Sequence, residues 1–372
     1  MANKTESVKK KINNKTNKKP SNKKSVKTNK IVKKINIKLT VVLLSIIGIL
    51  LIASTYAWFS VNLNVKIKTF NMIVAKNGDL LISLDGINYD TFVELSSEKL
   101  LNELKLTYPN NTSQWAANGL TPVSTNGIKN SNSDKFSIYA TNGVTYSIRD
   151  RHRENGYLKI ALSNEDVRRE FNSYISFDLF FKNATGSPIS DSLYFSETTE
   201  FVLEEGANEE MQGLFNSLRV GILKIGTVPT NTDPTIVQNL KCNNNCESVI
   251  YEPFSRNHTA LSIERALKYS VNLVDGFAFP TYGCINAGGP IFVKNAVSGS
   301  PYLDSNYFQL QRTITDDYFN NPLFELPDGV TKVRIYLWIE GQDIDSLETD
   351  SSGANISINM GFNKDTQAYS EY

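Results

Sequence analysis

The chain has 372 residues and a formal net charge of +1, and that near-neutrality hides two unlike parts. Residues 1–38 carry fourteen lysines against the single acid Glu6, leaving 25 basic and 37 acidic side chains for the remainder. A basic tail on an acidic body excludes a uniformly basic nucleic-acid-binding domain, and only two histidines and three cysteines leave little from which to build a metal centre.

Residues 1–38 are rich in lysine and asparagine, and residues 1–32 have little apolar content. Such a segment cannot bury enough surface to offset its ordering entropy, so it is expected to be disordered. Lysines set against an apolar run read as a cytoplasmic, positive-inside flank rather than a nucleic-acid arm. Leu39 to Ala53 holds no charge and suits the core of a signal peptide; extended to Phe59 it is long enough to cross a bilayer of ~30 Å. Residues 39–59 therefore have two readings. In one, Thr55 and Ala57 supply the small side chains of a signal peptidase site and the cut falls before Trp58. In the other the helix stays in the membrane, with Trp58 and Phe59 as interfacial anchors. Either places the rest of the chain outside the cytoplasm, free or membrane-anchored.

The body opens with alternation. Leu63, Val65 and Ile67 face one way and Asn64, Lys66 and Lys68 the other, which predicts a half-buried strand. Asn77-Gly78 between Met72–Ala75 and Leu80–Leu84 predicts a hairpin, so the body is expected to begin as antiparallel sheet. Short helices are expected within Ser97–Leu106 and Glu204–Leu218. Residues 120–127 and 227–239, rich in Thr, Pro, Asn and Gly, read as loops, and 149–156 as a charged loop. Tyr174–Asn183 is the strongest central strand, and Leu218–Leu223 another. The pattern weakens between Glu252 and Asn321, which suggests an insertion near 225–325 where binding loops could lie. Val330–Ile339 alternates again, with Val333, Ile335 and Leu337 opposed to Lys332, Arg334, Tyr336 and Trp338, and Ile356, Ile358, Met360 and Phe362 alternate in a last strand. Together these predict a mainly β fold for residues 60–372: an antiparallel, jelly-roll-like β-sandwich with short helices and long loops.

Thr55-Tyr56-Ala57-Trp58-Phe59-Ser60, behind its hydrophobic run, resembles the leader junction of exported proteins processed by a SipW-type signal peptidase, among them the TasA and camelysin-like biofilm fibre proteins of Gram-positive bacteria. Arg334-Ile335-Tyr336-Leu337-Trp338-Ile339-Glu340-Gly341-Gln342-Asp343 is similar to a segment near the ends of uncharacterised Firmicute exported proteins with such leaders. The resemblance implies an extracellular or cell-surface matrix protein that self-assembles, and its signature carries no known activity. A type IV pilin, by contrast, would want Gly before the apolar run and Glu inside it, where this chain has Lys38 and no acid until Asp79.

Little in the sequence points to catalysis. His152 and His258 stand in no His-Glu-x-x-His pattern, no Gly-x-Ser-x-Gly elbow lies near either, and no Gly-x-x-x-x-Gly-Lys phosphate loop occurs, so the chain is not expected to be an enzyme or to hold an organic cofactor. Cys242 and Cys246 can close a small disulfide loop, remain thiols, or pair with Cys284; a zinc site would need His152 or His258 as well. Asp343, Asp345 and Asp350 share one loop and are weak candidates for Ca²⁺, the alternative being a solvated acidic turn. Trp115, Trp338 and the many tyrosines either line the core or form a carbohydrate-stacking face. Two functions remain: a structural surface or matrix protein, fibre-forming through a strand freed at Trp58, or a membrane-tethered module that binds glycan or peptide.

Overall fold

The computed structural model describes residues 41–48, 65–75, 79–116, 119–129, 134–141, 157–159, 174–242, 246–268, 291–292, 302–303, 312–315, 319–341, 343, 345–346 and 354–366. Residues 41–48 are helical and form part of a unit of their own, residues 1–54. No described helix is long and apolar enough to cross a membrane. The basic tail, the remainder of 39–59, the junction residues Thr55, Ala57 and Trp58, and the 149–156 loop lie outside the described residues.

The body is mainly β. Its strands in chain order are β1 (Lys66–Val74), β2 (Leu80–Ser83), β3 (Phe92–Leu95), β4 (Val123–Lys129), β5 (Phe136–Thr141), β6 (Tyr157–Lys159), β7 (Tyr174–Asn183), β8 (Asp191–Phe195) and β9 (Glu200–Leu203). There follow β10 (Leu218–Val228), β11 (Ser248–Tyr251), β12 (Ile291–Phe292), β13 (Tyr302–Leu303), β14 (Thr313–Ile314), β15 (Phe324–Leu326), β16 (Gly329–Ile339) and β17 (Asn355–Thr366). A π turn, Lys99–Glu103, runs into α1 (Leu104–Thr107), and α2 (Glu209–Asn216), α3 (Pro234–Gln238) and α4 (Ala260–Lys268) complete the described helices.

Two open six-stranded sheets carry the body. The first has the order β15-β8-β17-β1-β3, with β9 also on β17; the second runs β14-β11-β10-β16-β7-β2. Both are mixed rather than antiparallel, because β1 runs parallel to β17 and β11 parallel to β14. One apolar cluster draws on both sheets: Phe70, Met72, Ile356 and Ile358 from the first, Phe177, Leu179, Ile335 and Leu337 from the second. Phe70 meets Phe177 edge to face at 5.4 Å between centroids. At roughly 1.5–3 kcal/mol per fully buried large apolar side chain, this cluster is the main favourable term in the fold.

The hairpin expected at Asn77-Gly78 does not form. β1 joins the first sheet and β2 the second, where β2 pairs with β7 from Leu80↔Asn183 to Ser83↔Phe180. Both strands present an apolar face, Phe70, Met72 and Val74 on one and Leu80 and Ile82 on the other. Those side chains join one apolar cluster from their separate sheets.

Two predicted loops are regular structure. Residues 123–127 belong to β4, with Val123 and Thr125 buried. Residues 234–238 form α3, whose start is set by local chemistry: the Asp233 carboxylate accepts from Thr235 N–H at 2.8 Å and Pro234 opens the helix with φ already restricted. Within the weakly patterned stretch Glu252–Asn321, β14 joins the second sheet through a parallel pairing with β11, and β12 and β13 pair with each other.

β16 departs most from its sequence reading. Its alternation is real, but every residue is buried, Lys332, Arg334, Tyr336 and Trp338 included. The small sheet β4-β5-β6 contributes a cover on this side, with Phe136 stacked on Tyr336 at 4.5 Å. Tyr108 and α3 provide another, closing on Phe180 and Val330. Gly329, at φ +141, begins the strand in a conformation that L side chains rarely adopt.

Candidate functional site

The most concentrated chemistry in the described body lies just after β16. Glu340 N–H donates to Ser217 C=O at 2.8 Å and Gly341 N–H to Val123 C=O at 2.7 Å, which pins the turn against β4 and the end of α2. Trp338 Nε1–H donates to Glu340 Oε2 at 3.0 Å. The chain then turns inward. Asp343 Oδ1 accepts Asp345 N–H at 2.9 Å, and both carboxylates are buried.

Each carboxylate meets a nitrogen-bearing side chain from a distant part of the chain. Arg219 on β10 donates through Nη2 to Asp343 Oδ2, and the same nitrogen lies 3.7 Å from Glu252 Oε2, just after β11. Arg219 Nη1 also donates to the carbonyls of Leu218 (2.9 Å) and Asn216 (3.2 Å). His258 Nδ1 lies 2.5 Å from Asp345 Oδ2. Asp345 Oδ1 accepts Thr259 N–H at 3.0 Å, so this carboxylate sits at the N-terminus of α4, where a negative charge is favoured. Thr259 caps the helix by accepting Ser262 N–H at 3.1 Å. Burial, with the neighbouring Asp345 charge, pushes the Asp343 carboxyl up to about 6 against the opposing pull of Arg219.

This arrangement is a clasp. It ties the turn after β16 to β10, to the segment after β11, and to the start of α4. Gly213 on α2 adds a backbone contact: a Cβ there would fall 2.7 Å from the Asp345 carbonyl oxygen. Gly213→Ala is therefore expected to push α2 off the turn, costing about 1–3 kcal/mol in a urea titration, whereas an ordinary helical Gly→Ala change stabilises.

Two of the three aspartates proposed for Ca²⁺ are brought together, and Asp350 lies outside the described residues. They do not sit in a solvated turn, as the acidic composition suggested. Ligand atoms of His258, Asp343 and Asp345 lie within 4.8 Å of one another, a spacing compatible with an ion. Asp343 is turned to the Arg219 guanidinium and His258 hydrogen-bonds Asp345 directly, so these ligand atoms already have partners within the protein. An imidazole oriented by a carboxylate is half of a general-base pair. The hydroxyls beside it in sequence, Thr259 and Ser262, hydrogen-bond each other at 2.7 Å.

A second buried ionic group lies on the covered face of β16 and β7. Arg334 straddles Asp178, Nε to Oδ1 at 2.8 Å and Nη2 to Oδ2 at 3.1 Å. Lys332 Nζ lies 3.2 Å from Asp178 Oδ2, donates to Tyr108 Oη at 2.7 Å and Gln238 C=O at 2.6 Å, and stands over the rings of Tyr108 and Phe180. Burial alone would raise the Asp178 carboxyl; Arg334 and Lys332 outweigh it and hold it at about 2. Burial likewise lowers the Lys332 ammonium and raises the Tyr108 phenol. Trp338 is buried and offers no stacking face, and Trp115 packs half-buried against the core.

Cys242 and Cys246 are joined in a disulfide with Cα atoms 5.8 Å apart, and Cys284 lies outside the described residues. Cys246 Sγ lies 3.7 Å from the Ile225 carbonyl, which sets this half of the disulfide against β10.

Comparison of the chain with protein-family models, with curated proteins and with solved structures finds no match.

Proposed function

We propose that the chain is an exported structural protein of the cell surface or extracellular matrix, a β-sandwich subunit of a self-assembling fibre. In this reading the two sheets face each other across their shared core, the leader is cut after Ala57, and the segment from Trp58 to β1 takes part in assembly by adding to the sheet edge of another copy. The observation that carries it is the state of β1. β17 pairs along it from Lys66 to Val74, whereas β3 pairs only with Phe70–Ile73. The first half of β1 thus has one described strand neighbour. Beside that half lies a groove of about 190 Å³, lined by Lys66, Ile67, Trp115, Gly119 and Leu120 among others. Val65 is bridged to Leu120 at the head of this edge; beyond that bridge, a strand edge with no second described strand partner, beside a groove, is the kind of place where an incoming strand can add.

Two measurements test the reading. Mass spectrometry of the native protein is expected to find an N-terminus at Trp58; an intact lysine tail would instead support a tethered display module. Deletion of residues 58–65 is expected to abolish sedimentable polymer. Polymer of unchanged amount and length would overturn the strand mechanism.

A further inference from the structure

Asn183, Asp191 and Lys364 meet at one buried point between the sheets. Asn183 closes β7 in the second sheet, where it pairs with Gly329 and Leu80. Asp191 opens β8, and Lys364 on β17 pairs with Leu193, both in the first sheet. Lys364 Nζ lies 2.8 Å from Asn183 Oδ1 and 3.0 Å from Asp191 Oδ2. Asn183 Nδ2 donates to that same Asp191 Oδ2 at 3.0 Å and to Leu326 C=O at 3.1 Å. The Lys364 side chain is 10% exposed and that of Asp191 1%, and Asn183 is fully buried.

We propose that Lys364 and Asn183 form an intramolecular isopeptide bond, with Asp191 as the catalytic proton carrier. An amine whose nitrogen contacts the carboxamide oxygen at 2.8 Å has the carboxamide carbon close to the near-attack range of about 3–3.5 Å. A proton passes from Lys364 to Asp191, and the freed amine lone pair adds to Asn183 Cγ. Asp191 returns a proton to Nδ2, the Cγ–Nδ2 bond breaks, and ammonia leaves. The new secondary amide gives its surplus proton back to Asp191. One C–N bond forms, one breaks, and nothing is oxidised or reduced. A single carboxylate oxygen touches both the attacking and the departing nitrogen, which is the placement a proton carrier needs.

The Lys332–Asp178 contact shows why chemistry is assigned to one lysine and not the other. Both oxygens of Asp178 are held by Arg334, which fixes it as an anion, and a carboxylate anion is a poor electrophile. The Asn183 carboxamide is neutral and carries its own leaving group. Because its partners are 181 residues apart and in different sheets, the bond would staple the two sheets covalently near the end of the last strand.

The intact mass of the denatured wild-type protein, referred to its observed N-terminus, decides the matter. Loss of one ammonia is expected to lower it by about 17 Da beyond the two hydrogens of the disulfide. A tryptic digest is expected to contain a branched peptide joining the Lys364 and Asn183 fragments. Lys364→Arg and Asp191→Asn are each expected to restore the full mass. A wild-type mass short only of the disulfide hydrogens overturns the proposal, and so does a 17 Da deficit that persists in Lys364→Arg. Since mass is read on unfolded chains, a variant that folds poorly does not obscure the wild-type result.

Discussion

Asp178→Ala is expected to destabilise the protein by about 3–5 kcal/mol, measured as a shift in the urea unfolding midpoint at constant slope. The substitution removes the anion that two cations share, and Arg334 and Lys332 remain buried behind the β4–β5 cover and Tyr108. Arg334 cannot shed its charge, because the guanidinium stays protonated throughout the accessible pH range. Lys332 can: burial already lowers its ammonium, and losing Asp178 removes the main influence raising it. The defect should therefore shrink as pH rises toward 10 and stay large in acid. In the wild type the same group has a different signature. The Asp178 carboxyl is held at about 2 against an ordinary 3.8, so its contribution of roughly 2 kcal/mol is present above 3.8 and is lost as pH falls through about 2. A defect independent of pH between 7 and 10 would show that lost packing, and not stranded charge, sets the cost.

The alternation of Val330–Ile339 revealed β16 in the sequence but not its environment. Lysine and arginine opposed to valine and isoleucine describe a strand with one wet face. The reason that face is dry lies in Asp178, whose partner Arg334 is 156 positions away, and in Tyr108, 224 positions from Lys332. Local patterning carries no information about such partners. The same limit explains the hairpin expected at Asn77-Gly78: a turn signal reports that the chain bends, not whether the next strand joins the same sheet or the opposite one. α3 was legible in principle. Asp233-Pro234 is a capping residue followed by a first-turn proline, but the surrounding Thr, Asn and Pro suggested loop. Of the clasp, the sequence exposed Asp343 and Asp345 as a cluster and misjudged their setting, since Arg219, Glu252 and His258 arrive from three other segments. Asn183, Asp191 and Lys364 are individually ordinary residues, and only the fold brings them together from strands of two different sheets.

Arg219→Ala is expected to produce the opposite pH signature. At pH 7 it should cost about 3–5 kcal/mol, because it leaves Asp343 and Glu252 buried without the guanidinium between them. The groups facing that position are carboxyls, Asp343 and Glu252, and Asp343 carries the pH dependence. Asp343 is already pushed up to about 6 in the wild type, chiefly by burial, and loss of Arg219 removes an influence that lowers it, so it rises further. A carboxyl raised in the folded state contributes stability that is full below its ordinary 3.8 and is lost as pH rises through the folded value. For the wild type that window runs from about 4 to about 6 and is worth on the order of 3 kcal/mol. In Arg219→Ala it extends higher, so the variant recovers stability on acidification faster than the wild type does. Paired urea titrations at pH 7.5 and 5.0 are expected to show the gap between variant and wild type narrowing at the lower pH. A gap that widens there would mean that Arg219 stabilises the clasp through its hydrogen bonds to Leu218 and Asn216, with charge secondary. The two buried groups thus separate by experiment: stranded cations at Asp178 are relieved by base, stranded carboxylates at Arg219 by acid, and a variant that responded to neither would locate its cost in shape alone.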